Sequence, residues 1–238
     1  MELPEHVLEL PGKIEGMLAG GRVCFLSLTG SRAFGWAGPD MDWDIHGVFA
    51  KEGYWDHVHS GAGGVDLNLW ELSHVEGDIR YQHFESFMNW SNPFYVRPGF
   101  DHAGLYSFLT PKAVAGKRLD VLQQIEAFRA TGDARAALHA YRIMMVPLHW
   151  LEAGKFELNI FRLNEIHGYG FDLDSLKNAY INRQSFDRAK VEADLGRLWR
   201  EYEDAISKID PDAGPDAAAA AEWLWRTRER FFQSLNQK

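Results

Sequence analysis

The hydrophobic pattern of the chain changes near residue 97, and this change is the strongest constraint on its fold. Before that point, short apolar runs and alternating stretches predict β-strands, whereas after it apolar residues recur at helical spacing. Residues 97–104, Arg-Pro-Gly-Phe-Asp-His-Ala-Gly, are rich in turn formers and are the best candidate for a boundary. We therefore predict an α+β protein in which a small mixed-sheet domain, residues 1–96, precedes a helical domain, residues 97–238.

The composition indicates a globular protein with an acidic balance. Of the 238 residues 46% are hydrophobic, which is enough for a substantial core. Acidic residues outnumber basic ones by 34 to 25, and the formal net charge is −9. A protein that holds a long duplex through many phosphates usually has the opposite sign. We therefore expect at most short or transient contacts with nucleic acid.

Apolar content and cysteine usage indicate the compartment. No apolar run approaches the ~20 residues needed to span a bilayer, and the stretch MELPEHVLELPGK lacks the pattern of a secretory signal. Cys24 is the only cysteine, which excludes an internal disulfide and a multi-cysteine zinc site. We expect a cytoplasmic protein that does not contact membranes.

Strand patterns in the first domain surround a Gly-Ser pair. Residues 22–30 form a continuous apolar run that predicts a buried strand, and residues 31–37 suit one tight helical turn. Residues 43–50 alternate as a second strand. Residues 57–72, with four small residues at their centre, predict a hairpin.

Helical spacing accounts for most of the remaining sequence. Residues 4–19 predict a helix interrupted at Pro11, and residues 78–90 predict a single helix. Asp216 suits the N-cap of the last helix. In the second domain we predict helices over residues 105–130, 133–153, 173–181, 187–208 and 216–235.

Three aspartates, Asp40, Asp42 and Asp44, lie within five positions of the chain. Their mutual repulsion is unfavourable unless a cation, a partner or hydration relieves it. Asp40 follows Gly-Pro and is interpreted as part of a solvated turn. Asp42 and Asp44 lead directly into the strand at residues 43–50, and on an extended segment their side chains share one face.

A third carboxylate is expected from the hairpin. Alternation over residues 65–71 places Asp66 on one face of its strand and Glu71 on the other, so Asp66 is the preferred candidate. Three converging carboxylates suit one or two Mg²⁺ ions, since hard cations prefer oxygen ligands. The turn at Gly30 and Ser31 offers N–H groups and a hydroxyl to a phosphate.

The stretch GSRAFGWAGPDMDWDIHGV, residues 30–48, resembles the motif of the DNA polymerase β-like nucleotidyltransferase superfamily. That motif is a Gly-Ser pair, a gap of about ten residues, D-x-D and a third Asp on a later strand. The most similar branch is the bacterial and phage predicted nucleotidyltransferases of the minimal type. The resemblance extends over residues 22–165, including the helix LHAYRIMMVPLHWLEAGKF, and is specific only in its first quarter.

The resemblance implies roles for five residues. Gly30 and Ser31 would hold the triphosphate, Asp42 and Asp44 would bind two Mg²⁺ or Mn²⁺ ions, and Asp66 would supply the third carboxylate. The fold implied is a palm-like domain followed by a helical domain.

The resemblance also implies an activity. This is transfer of a nucleoside monophosphate from an NTP such as ATP, or from a dNTP, to an acceptor hydroxyl. We expect the acceptor to be a nucleic-acid 3′ end, the commonest acceptor in the superfamily. The alternatives are a protein partner, as in toxin–antitoxin systems, a small molecule such as an aminoglycoside, and a non-catalytic nucleotide-binding module.

The sequence departs from the motif at two positions. Met41 replaces the usual Ser between the first two acids, and His46 replaces the usual Arg after D-x-D. Neither replaces a metal ligand, so the departures concern substrate choice rather than activity.

Further nucleotide-binding candidates are basic. Arg32 could reach a phosphate or hold the acidic loop. Arg135, His139 and Arg142 form a helical stripe, which is either a solvated surface or, as the resemblance favours for His139 and Arg142, part of the nucleotide site.

Histidines and tryptophans near the site have less specific patterns. His57, His59 and His74 lack metal-ligand spacing and are interpreted as structural. Trp36 and Trp43 could belong to the core or stack on a base.

Overall fold

Five strands form one mixed sheet in this computed structural model, which describes residues 2–18, 20–52, 57–210 and 212–233. The order is β3-β4-β2-β1-β5; β2 and β4 are parallel, and the other neighbours are antiparallel. The predicted α+β class is confirmed. The strands are β1 (Arg22–Leu28), β2 (Trp43–Ala50), β3 (His57–Ala62), β4 (Val65–Glu71) and β5 (Pro93–Val96).

Helices precede the sheet, interrupt it and make up most of the later sequence. In the described residues they are α1 (Glu5–Leu8), α2 (Leu10–Met17), α3 (Gly30–Phe34), α4 (His74–Arg80), α5 (Phe84–Trp90), α6 (His102–Leu105), α7 (Pro111–Gly116), α8 (Arg118–Thr131), α9 (Ala134–Ala153), α10 (Ile160–Ile166), α11 (Leu173–Asn182), α12 (Arg188–Ser207) and α13 (Ala217–Gln233), with a 3₁₀ turn at Tyr106–Phe108. No helix in these ranges is long and apolar enough to cross a membrane.

The chain divides into two compact units. The first comprises residues 1–32, 40–110 and 214–238 and contains the sheet, and the second comprises residues 33–39 and 111–213. The boundary predicted at residues 96 and 97 falls inside the first unit, which also takes in the C-terminal helix α13. Contacts between distant parts of the chain, rather than the local change of pattern, produce this division.

The sequence patterns explain the central strands. The apolar run of β1 is buried almost throughout, and β4 alternates between buried and half-exposed residues as its sequence does. The hairpin between β3 and β4 turns at Gly63 and Gly64, whose φ angles of 63° and 73° suit glycine. Asp216 caps α13 by accepting hydrogen bonds from the amides of Ala218 and Ala219, as predicted.

Several predictions about elements differ from the structure. The helix predicted over residues 105–130 is divided into a 3₁₀ turn and the helices α7 and α8. The single helix over residues 78–90 is broken, because Gln82 has a left-handed φ of 54° and its side-chain amide donates to the carbonyl oxygens of Ile79 and Phe108. The four-residue strand β5 was not predicted, since it begins with Pro93 and is too short to show alternation. It pairs with β1 at the edge of the sheet, where a proline is tolerated.

The second unit is built around α9. This helix packs against α8, α10, α11 and α12 and is buried along most of its length. Asp133 caps its first turn by accepting a hydrogen bond from the Ala136 amide, and Gly154 ends it with a φ of 66°.

Candidate functional site

The Gly-Ser turn at the end of β1 packs directly on the second aspartate of the D-x-D pair. Gly30 has a φ of 64°, and a Cβ at this position would overlap the carboxylate of Asp44. The amide of Ser31 donates a hydrogen bond to this carboxylate, and the amide of Thr29 donates to the Asp44 carbonyl oxygen at 2.9 Å. Gly30 and Ser31 are the first residues of the short helix α3. Because this turn contacts Asp44 directly, the turn and the carboxylate form one local arrangement.

The third aspartate is brought beside Asp44 by strand pairing. β2 and β4 are parallel with Asp44 opposite Asp66, and Asp42 precedes β2 by one residue. Asp42 and Asp66 line one cavity of about 360 Å³, whose other walls are largely the glycines of the β3–β4 hairpin. Asp42 is exposed, whereas Asp44 and Asp66 are half-buried.

The electrostatics of the site centre on Asp44. Its pKa is raised from the ordinary value of 3.8, first by burial and then by repulsion from Asp66 and, to a smaller extent, Asp42. The hydrogen bond from Ser31 and the charge of Arg32 oppose this rise in the pKa without cancelling it. The three predicted carboxylates therefore interact, with Asp44 at their centre.

The donor set fits a divalent cation in its chemistry, because it offers three oxygen ligands that repel one another. As the side chains stand, however, no group of three His, Cys, Asp or Glu residues in the described part of the chain is arranged to hold a metal ion. One oxygen of Asp66 instead lies 3.0 Å from Nε2 of His59.

The contact between His59 and Asp66 was not predicted. The tight turn sets β3 against β4 with His59 opposite Asn68 and next to Asp66, so this histidine contacts the predicted site. The sequence signal that could have predicted this contact is the two-residue glycine turn, because such a turn fixes the register of a hairpin. His57 stacks on Trp70 with ring centroids 3.8 Å apart on the same strand pair.

Arg32 braces the acidic loop. Its Nε donates to the carbonyl oxygen of Asp42 at 3.2 Å, its Nη2 donates to that of Met41, and its guanidinium lies 4.2 Å from the centre of the Trp43 ring. The loop-holding interpretation is thus the one that these contacts support.

Glu71 has a structural role. It is fully buried on the opposite face of β4 from Asp66, as alternation predicted, and its Oε1 lies 3.2 Å from Nη2 of Arg228 in α13. The Ser73 amide also donates to Glu71, at 2.8 Å. These contacts explain the buried charge and leave Asp66 as the candidate third carboxylate.

His46 lies at the motif position where an arginine is usual. Burial lowers its pKa from 6.5 to about 4, an effect that the nearby acids Asp66 and Glu85 only partly oppose. His46 is therefore neutral at pH 7 and supplies no positive charge in place of the arginine.

The remaining basic candidates belong to the second unit. Arg142 is buried in α9 with its guanidinium 4.8 Å from the centre of the Phe34 ring, so the solvated-surface interpretation is wrong for this residue. His139 packs edge-on against Trp36 at 5.4 Å, and Trp36 is a core residue. Their proposed contacts with a nucleotide stay predictions.

Comparisons with known proteins show similarity only among solved structures. No protein-family model matches the chain, and no curated protein sequence matches it. Among solved structures, a nucleotidyltransferase-like protein from Exiguobacterium sibiricum 255-15 is similar, with 12% sequence identity over 84% of this chain and 77% of that chain. The TM-score is 0.30, which is too low to support a conclusion about fold or chemistry.

Proposed function

We propose that this protein is a metal-dependent nucleotidyltransferase that moves a nucleoside monophosphate from an NTP or dNTP to an acceptor hydroxyl. The acceptor oxygen bonds to the α-phosphorus, the bond from this phosphorus to the β-phosphate oxygen breaks, and pyrophosphate leaves. The hydroxyl proton passes to solvent or to a carboxylate of the site.

One observation carries this proposal: the Gly-Ser turn is built against the carboxylate of Asp44, which faces Asp66 across a parallel strand pair. Half-burying one carboxylate beside two others is unfavourable, and such arrangements occur where function requires them. A solvated acidic loop would have neither a glycine turn packed on a carboxylate nor the strand register.

Asp42, Asp44 and Asp66 are the residues that we propose as ligands of Mg²⁺ or Mn²⁺, with two ions expected. Bound ions would neutralise the triphosphate and lower the pKa of the acceptor hydroxyl. The chain's own contribution is orientation, because the Ser31 amide holds Asp44 and His59 contacts Asp66.

For the nucleotide, Gly30 allows close approach of the backbone, and Ser31 is proposed to meet a phosphate. Because the Ser31 amide donates to Asp44, we assign the phosphate contact to the side-chain hydroxyl. Arg32, which follows Ser31 in the chain, is proposed as a further phosphate contact.

For the acceptor, we propose a nucleic-acid 3′ end. The net charge of −9 favours a short contact at a terminus over binding along a duplex. A protein hydroxyl and a small-molecule hydroxyl are the other acceptor classes to be compared.

The test is pyrophosphate release from each NTP and dNTP with Mg²⁺ or Mn²⁺, across a panel of acceptors. A single-stranded oligonucleotide with a 3′ hydroxyl is compared with the same oligonucleotide ending in a 3′-deoxy nucleotide. We expect release only with the hydroxyl, and none from the Asp44→Asn variant. Transfer only to a protein or only to a small molecule would show that the proposed acceptor class is wrong. Absence of pyrophosphate release with every acceptor would contradict the proposed reaction.

Binding of NTP provides a second measurement that does not depend on the acceptor. Calorimetry with and without Mg²⁺ should show coupled binding, because phosphate oxygens and carboxylates share the ion as ligands. Metal-independent NTP affinity would contradict the role of the three aspartates.

A further inference from the structure

A second cavity, of about 570 Å³, lies within the helical unit and shares no lining residue with the cavity at the aspartates. Leu148 and Leu151 of α9 form one apolar wall, and Ala205 and Ile209, in and just after α12, form another. The volume is within the range of small-molecule sites. This cavity can therefore take a ligand with an extended apolar portion.

Aromatic rings form part of the lining. His167 and Tyr169 stack with ring centroids 5.3 Å apart and an interplanar angle of 28°. Each ring is fixed by an acid of the same cavity: Nδ1 of His167 lies 3.4 Å from Glu152, and the Tyr169 hydroxyl donates to Glu201 at 3.0 Å. Aromatic faces beside carboxylates are suited to protonated amines.

Negatively charged side chains outnumber positively charged ones in the described lining of this cavity. Four carboxylates border the cavity, those of Glu152, Glu201, Asp204 and Asp210. Lys208 is the single Lys or Arg among its described lining residues, and its Nζ already lies 2.6 Å from Asp204. Of the other three carboxylates, that of Glu152 lies beside the His167 ring, and neither Glu201 nor Asp210 has a further Lys or Arg in the described lining. The excess of negative charge attracts cations to the cavity and disfavours anions such as nucleotides.

We propose that this cavity binds a linear alkyl polyamine, with its methylene chain along the apolar walls and its ammonium groups on the bordering carboxylates. The lining combines apolar side chains with carboxylates, which matches a ligand in which methylenes separate charged nitrogens. This site is independent of the proposed nucleotidyl transfer, since its residues are separate from the aspartate site.

The test is calorimetry with diaminooctane as the probe and octanediol as its uncharged counterpart of equal length. We expect the diamine to bind at least about tenfold more tightly than the diol, a difference of about 1.4 kcal/mol. Equal affinity of the two probes would overturn the proposal, because the carboxylates would then have no part in binding.

Matched variants locate the binding. Glu201→Gln combined with Asp204→Asn should weaken diamine binding at least about fivefold, or about 1 kcal/mol. Glu192→Gln removes one charge from the same helix outside the cavity and should leave the affinity unchanged, which controls for general attraction to an acidic protein.

A variant that fills the cavity tests whether the diamine binds inside it. Ala205→Phe places a ring in the cavity and should abolish diamine binding, with a circular dichroism melt to confirm that the variant folds. Retained binding in this variant, or an equal loss in the Glu192→Gln control, would show that the diamine binds elsewhere on the acidic surface.

Discussion

Gly30 and Asp44 are in such close contact that the aspartate carboxylate lies where any side chain at position 30 would begin. The glycine also has a φ of 64°, so both space and backbone conformation exclude other residues. This relationship joins the Gly-Ser turn to the D-x-D pair in one structural unit, although the two are fourteen positions apart in the chain.

We expect Gly30→Ala to destabilise the protein by about 2–3 kcal/mol, because left-handed strain and displacement of Asp44 add together. Gly63→Ala is the matched control, since Gly63 has a φ of 63° and nothing lies within 4 Å of the added Cβ. That variant should lose only about 1 kcal/mol. Thermal unfolding measures both, and equal losses would show that the contact with Asp44 has no energetic weight.

Asp44→Asn should abolish nucleotidyl transfer, with a loss of about 100-fold or more, since a charged ligand is removed without a change of shape. In the absence of divalent ions it should also raise the free energy of unfolding at pH 7. The raised pKa of Asp44 means that folding disfavours its charge, so wild-type stability falls as pH rises above 3.8 through the folded-state pKa.

The stability difference between wild type and Asp44→Asn should therefore vanish at a pH below 3.8, where both proteins are neutral at this position. Urea unfolding across the pH range measures it. Asp40→Asn, at an exposed position, should change neither transfer nor stability. A stability difference that persists in acid would mean that the carboxylate's charge is not its cause.

Asp66→Asn and Glu71→Gln should have opposite effects. Asp66→Asn should abolish transfer with little change in stability, because its carboxylate is half-exposed. Glu71→Gln should retain transfer but lower stability by about 2–3 kcal/mol, because it leaves the partner Arg228 without its buried countercharge. A larger loss of transfer from Glu71→Gln would contradict the assignment of the third carboxylate.

His46 should make the protein sensitive to mild acid. Its pKa is about 4 in the folded protein against an ordinary 6.5, so the unfolded chain takes up the proton first as pH falls. Between pH 6.5 and about 4 this costs up to about 1.4 kcal/mol of stability per pH unit. Urea unfolding of His46→Gln, without metal or nucleotide, should show that its free energy of unfolding depends less steeply on pH than that of the wild type. An unchanged slope would contradict a neutral His46 in the folded protein.

The local sequence pattern was sufficient to predict several elements around the candidate site. The apolar run of β1, the Gly-Ser turn and the start of β2 were predicted because each depends on neighbouring residues. Alternation in β4 placed Asp66 and Glu71 on opposite faces, and the structure confirms this. The choice between two acids five positions apart needs only the period of a strand.

The sequence by itself thus determined the strands β1 to β4, the Gly-Ser turn and the face of each acid, since all three follow from backbone geometry over a few residues. Only the tertiary structure decided that β2 and β4 pair in parallel with Asp44 opposite Asp66. It alone brought Arg228 from the last helix to the buried Glu71, 157 positions away, and buried Arg142 in the second unit. Such pairings depend on which distant surfaces exclude water together, and no local periodicity carries that information.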